Sequence, residues 1–356
     1  FDPYKMPYLR AFDPAETTSA PACKGENPHL KKTRAGVAPE LPLVPHPEFL
    51  EGPFPHTHIP EYRFFANLEP SQVQAVRERG EQMVALVMHG GGQGMLGHAK
   101  TVVVNVEAFI RTLAFMSNDR KSFSVKVYSP EVKSSKSSGP FDKPYTFFAD
   151  LGPNAEVLRR FLLWQEVFAV NPSVSFTALP IATREASWKL CVINGDDIDP
   201  EATHAFVLKQ KSRLLVELKK RAGSTNSMSW WTAKLVMAGW NIHGNEQELV
   251  EKFTDTFSLE LTSAELKSTS VPVPAYVLYA KPLTYDKRVA VNWRSAFLGI
   301  SGANKAAKPI RLGLDIFHVD RATVDCKVCK ADTHRTALCP LAGTPGWKGV
   351  TPALLG

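Results

Sequence analysis

The chain has 356 residues, 44% of them hydrophobic and 22% charged, and its 42 Lys and Arg against 35 Asp and Glu give a formal charge of +7. That apolar content excludes a disordered polyelectrolyte, and the length allows two or three compact domains. Apolar runs such as 102–104 and 161–164 fall far below the roughly 20 residues of a membrane helix, so a soluble chain with no membrane partner is expected, while the basic excess suits a polyanionic partner.

The sequence opens on Phe1 rather than Met, so a start further upstream is expected. Residues 1–60 carry 12 of the 27 prolines and little periodicity, which predicts a disordered, Pro-rich arm. Residues 61–132 read as a small α/β region. Val73, Val76, Met83, Val84 and Val87 recur at helical spacing over 72–88, with Ser71 as N-cap. A glycine-rich loop follows, then a β-branched run at 101–106 that predicts a strand and an apolar helix at 108–115. The stretch 133–139, Lys-Ser-Ser-Lys-Ser-Ser-Gly, has the composition of a flexible linker and predicts a domain boundary.

Residues 141–225 read as an α/β domain. Strands are expected at 145–149, 174–179 and 188–193, and a helix at 154–168. Asp199-Pro200-Glu201 has the chemistry of a helix start, and that helix should run to about Arg221 with Gly223 as its stop. Residues 228–317 predict a strand at 232–238, a helix at 246–257, strands at 259–261 and 275–280, a helix at 288–297 and a strand at 310–317. This β-α-β-β-α-β order predicts a ferredoxin-like, RNA-recognition-like domain. The expected fold class is therefore α+β, followed by a small zinc knuckle at 324–341 and a tail at 342–356.

Five cysteines are present: Cys23, Cys191, Cys326, Cys329 and Cys339. An odd, clustered set does not suit a disulfide framework. It suits metal use in a reducing compartment, cytoplasmic or nuclear. Cys326, Cys329, His334 and Cys339 follow the pattern C-x2-C-x4-H-x4-C. Zn2+ prefers tetrahedral sulfur and nitrogen ligands, and two cysteines three apart grip one side of the ion while His334 and Cys339 close the other. A segment so short has no core of its own, so metal binding should supply its folding energy.

This pattern resembles the CCHC knuckle of retroviral nucleocapsid and of Gag-like proteins of retroelements. The tail, Cys339-Pro340-Leu341 and Pro345-Gly346-Trp347, is similar to knuckle-bearing open reading frames of fungal mobile elements. The resemblance covers about 16 residues closely and extends loosely to the region before them. It implies binding of unpaired bases, and a Gag- or nucleocapsid-like role in packaging or chaperoning a mobile-element transcript. Retroviral knuckles usually carry an aromatic after the first Cys and a Gly before the His, where this chain has Lys327 and Thr333.

Candidate contacts to single-stranded RNA or DNA follow. Lys327, Lys330 and Arg335 decorate the knuckle, and Trp347 offers a stacking ring beside it. Tyr276 and Tyr279 stand where the third strand of an RNA-recognition domain carries its stacking aromatics. Lys209, Arg213 and Lys220 belong to the densest basic run in the chain. A G-x-G-x-x-G match at Gly92, Gly94 and Gly97 is set aside, because the stretch after it reads as a strand where a dinucleotide site needs a helix. Asp196, Asp197 and Asp199 read as a polar turn and helix cap. The expected function is non-enzymatic, with room for self-association and no small-molecule substrate. The alternative is a protein-interaction module in which zinc only staples the C-terminus.

Overall fold

The computed structural model describes residues 24–59, 61–118, 123–133, 143–181, 186–199, 201–265, 272–300, 307–320 and 324–355. The chain divides into two compact units. One comprises Lys31–Glu185 with Asp325–Asp332 and Thr336–Gly356; the other comprises Phe1–Leu30, Ala186–Val324 and Thr333–Arg335.

In the first unit, helix α1 (Pro70–Glu78) leads into strand β1 (Met83–Met88), helix α2 (Ala99–Arg111), β2 (Lys126–Tyr128) and β3 (Thr146–Asp150). Helix α3 (Glu156–Gln165) and the hairpin β4 (Val167–Asn171) and β5 (Val174–Pro180) follow. The sheet order is β2-β3-β1-β5-β4, antiparallel throughout. Every residue of β1 is buried, which explains its unbroken Met-Val-Ala-Leu-Val-Met run: a central strand has no polar face. On one side Val84 and Leu86 pack with Val106, Phe109 and Ile110 of α2 and Leu158 and Phe161 of α3. On the other, Ala85, Val87 and Phe148 pack with Ile59, Phe64, Leu68 and Val76.

The second unit contains β6 (Lys189–Asn194), then helices α4 (His204–Ala222), α5 (Asn226–Trp240) and α6 (Glu246–Thr254). Strands β7 (Ser258–Glu265) and β8 (Pro272–Tyr279), helix α7 (Lys287–Phe297) and the hairpin β9 (Ile310–Leu312) and β10 (Asp315–Asp320) complete it. Its sheet order is β7-β8-β6-β10-β9, again antiparallel throughout. Leu214, Val236, Phe253 and Trp293 of the helices bury one sheet face with Ile193, Tyr276 and Phe317. Numbered within each unit, the strands of both sheets run second, third, first, fifth, fourth, with helix between the first and second strands and between the third and fourth. The two units thus share one topology.

Several sequence expectations change. The stretch 72–88 is not one helix, and Ser71 is not its cap: α1 starts at Pro70 with Glu69 at the N-cap position, and Gly80 separates it from β1. The run 101–106 is helical, because Val102, Val106, Phe109 and Ile110 place one buried stripe at helical spacing. The stretch 232–238 lies inside α5, whose N-cap Thr225 accepts a hydrogen bond from the Met228 amide. The first strand of the second sheet is therefore β6, and a boundary between 225 and 228 would cut its unit. Likewise β2 and β3 pair across the 133–139 stretch, so both sides of it belong to one unit; 134–139 itself lies outside the described residues. The helix expected to 168 stops at Gln165, and Glu166, at φ +63°, turns the chain into β4. The helix expected from Asp199 begins at His204 behind the Thr203 cap, with Gly223 at its C-cap as expected. The strand at 310–317 is a hairpin turning at Gly313.

Residues 24–59 are not a free arm. Phe54 and Ile59 are buried, Asn27 and Thr33 as well, and the Thr33 amide donates to the Phe54 carbonyl at 2.8 Å. The remainder of that expectation, 1–23 and 60, lies outside the described residues. No described helix is long and apolar enough to cross a membrane.

Candidate metal centre

The stretch 326–339 folds as two tight turns. The Lys330 amide donates to the Cys326 carbonyl at 2.9 Å and the Cys329 amide approaches the Cys326 Sγ at 3.4 Å, so Cys326 and Cys329 sit on one turn. The second turn is the 3-10 segment Thr336–Leu338, tied back by the Lys327 amide to Thr336 Oγ1 at 2.9 Å. The ligand atoms of Cys326, Cys329, His334 and Cys339 all lie within 4.8 Å of one another. A tetrahedral ion with metal–sulfur bonds of about 2.3 Å holds its sulfurs about 3.8 Å apart, so the set fits. Three thiols and one imidazole are the donor chemistry of a closed zinc site. All three cysteines are buried and free of disulfides, while His334 is half-buried with Nδ1 3.1 Å from the Thr333 hydroxyl.

No family model, curated protein or solved structure matches this chain.

The segment does not stand alone. Cys326, Val328, Cys329, Ala331, Cys339 and Leu341 share a buried cluster with Phe54 and Val167. The Gly90 amide donates to the Val328 carbonyl at 2.9 Å, and Arg63 pairs with Asp325. The glycines after β1 make this seat. A Cβ on Gly90 would come within 2.8 Å of Val350 and 2.9 Å of Leu355, and one on Gly91 within 2.9 Å of Tyr145. Close approach of the C-terminal tail at Gly90, and of Tyr145 and Met88 at Gly91, therefore leaves no room for a side chain at these two positions. The G-x-G-x-x-G match does lie between a strand and a helix, contrary to expectation. Its sheet is antiparallel throughout, which is not the parallel β-α-β frame of dinucleotide binding.

The candidate nucleic-acid contacts separate by exposure. Lys327 is exposed and Arg335 half-buried. Lys330 is buried, and its Nζ donates to the Gly91 carbonyl and, at 2.8 Å, to that of Lys327, so it offers nothing to a phosphate. Trp347 is no free stacking face: its indole donates to the Val350 carbonyl at 3.0 Å, and its ring meets Phe54 and His89. Tyr276 is fully buried with its hydroxyl donating to Gln210 Oε1 at 2.8 Å; Tyr279 is buried beside His29. Neither ring can receive a base in this structure. On α4, Lys209 is exposed, Arg213 donates to the Leu312 carbonyl at 3.1 Å, and Lys220 pairs with Glu217 at 2.6 Å.

Among the buried bases that escaped the sequence reading are His89 and Lys211. His89 bridges Ser175 Oγ at 2.7 Å and Thr177 Oγ1 at 2.9 Å, and burial pulls its imidazole down to about 3. Lys211, in the basic run of α4, is buried with its Nζ 5.9 Å from the Tyr276 ring, and burial pulls it down to about 8. Only helical register separates the inward Lys211 from its outward neighbours, a signal available in the sequence once the start of α4 is known.

Proposed function

We propose that this chain is a binding protein rather than an enzyme, holding one Zn2+ through Cys326, Cys329, His334 and Cys339. Its partner in this reading is single-stranded nucleic acid, in the Gag- or nucleocapsid-like manner the motif implies. The convergence of four ligand atoms within 4.8 Å carries the reading. The ion would be structural, since a closed set of four protein ligands leaves no position for substrate. Three thiols kept as zinc ligands suit a reducing, intracellular compartment. The strand order of each unit supports a ferredoxin-like frame with one extra strand, the frame of RNA-recognition domains. Lys327 and Arg335 beside the ion, with Lys209, Arg213 and Lys220 on α4, are the side chains left to meet phosphates.

A second reading has its own observation. Both faces of the first sheet are covered, and Tyr276 and Tyr279 are interior. This favours zinc as a staple in a module for protein partners or self-association. One experiment separates the two. Metal analysis of the full chain should find one zinc, and anisotropy of labelled single-stranded RNA should show binding that weakens with salt. Lys327→Met should lower the slope of log K against log salt by about 0.7, the value for one phosphate contact on a single strand. Zinc without RNA binding at low salt selects the staple; absence of zinc ends both.

A further inference from the structure

We propose that the outer face of α4 is a contact surface for single-stranded nucleic acid, with Phe206 as the ring on which an unpaired base stacks. The inference rests on the nucleic-acid reading above and deepens it, because that reading names cations for the phosphates and no ring for the bases. Single-strand binders combine a cationic track with exposed aromatics. Tyr276 and Tyr279 are interior and Trp347 is packed on Phe54 and His89, whereas Phe206 is 48% exposed.

Helical register assembles the face. At about 3.6 residues per turn, Phe206, Lys209, Arg213, Val216 and Lys220 fall within an arc of about 80°, turned away from the Val207, Leu214 and Leu218 stripe that enters the core. All five are exposed. The stripe runs about 21 Å along the axis, with about 6 Å from Lys209 to Arg213 and about 10 Å from there to Lys220. The neighbouring cations leave it: Lys219 pairs with Asp255 at 2.9 Å, and Arg221 donates to the Pro309 carbonyl at 2.6 Å. Arg213 lies 3.9 Å from Asp315 and Lys220 2.6 Å from Glu217, yet both side chains stay open to solvent, at 49% and 66% exposure. Three cations against two flanking acids leave the face basic. Trp230 of α5 is also exposed, but the Lys234 ammonium already sits over its ring at 4.8 Å. Composition favours nucleic acid over a protein partner, since the cores of protein interfaces are depleted in lysine.

The test is anisotropy of a labelled oligouridylate with the full chain across a salt series. Phe206→Leu, which keeps an apolar side chain and loses the ring, should weaken binding by about fivefold to a hundredfold. It should leave the slope of log K against log salt unchanged. Phe206→Gln, a better helix former at an exposed position, should show the same loss. Phe206→Tyr, which keeps the ring, should bind like the parent. Lys209→Met should lower the salt slope by about 0.7. Parent-like affinity in Phe206→Leu and Phe206→Gln overturns the proposal while the nucleic-acid reading stands. Displacement of the RNA by polyglutamate, with loss of the ring without effect, would make the face a dock for an acidic polypeptide and overturns it as well. A parent that binds no RNA at low salt removes the reading above and this proposal together, before any variant is made.

Discussion

Lys211 illustrates how a residue's environment can reverse the role its sequence suggests. It stands in a basic run, yet it is buried against Tyr276, and burial lowers its ammonium to about 8 while Glu260 opposes the shift. The sign of the linkage follows. Between pH 8 and the ordinary lysine range the unfolded chain holds a proton that the folded chain has lost, so stability rises with pH across that window. A shift of this size corresponds to roughly 3 kcal/mol. Urea denaturation at pH 7.5 and pH 10 should show the parent gaining stability, and Lys211→Met should remove most of that gain. An identical pH response in both would refute the assignment. The candidate metal ligands, by contrast, were legible directly as a cluster, because a fourteen-residue motif carries its own spacing. Lys330, Trp347, Tyr276 and Tyr279 were misread because exposure is decided by partners far along the chain, such as Gly91, Val350 and Gln210.

At the scale of elements, two of the misassignments have one cause. Val102, Val103, Val104 and Val106 have strand propensity, but propensity spans well under 1 kcal/mol per residue and a buried stripe outweighs it. In α2 the stripe is Val102, Val106, Phe109 and Ile110, while Val104 is left 62% exposed. The same logic turns 232–238 into the middle of α5, with Thr232, Ala233 and Val236 inward. Strands with a continuous apolar run or a clear turn, such as β5, β6 and β8, were legible to within a residue or three. The exposed Val104 gives a test by sign. In a helix, Val104→Ala removes a β-branched side chain from a solvent position and should stabilise by about 0.5 kcal/mol. In a strand the same change would destabilise. Chemical denaturation of the two proteins distinguishes them, and a loss of stability would return the segment to a strand.

At the scale of the molecule, two units of one strand order divide the chain, and the three cysteines of the C-terminal motif are built into the core of one of them. The repeated order was half-visible in the sequence, as two α/β stretches; the boundary was misplaced because β6, read with the helix after it as part of the 141–225 domain, opens the other unit. The placement of the motif changes what metal loss should do. A knuckle on a free tail would unfold alone. Here the buried cysteines share their cluster with Phe54 and Val167, and Val328 accepts from the Gly90 amide at the end of β1. Zinc at a thousand times its dissociation constant stabilises the state that binds it by about 4 kcal/mol. Chelation should therefore withdraw that stabilisation from the whole unit. In hydrogen exchange, peptides covering 50–59, 86–91 and 165–171 should lose protection with 326–341, by tenfold or more. Peptides from β6 and β8, whose core contains none of the three cysteines, should change little. Exchange that rises within 326–339 alone would show that the motif is a detachable appendage, and that its buried contacts carry no folding energy for the unit around it.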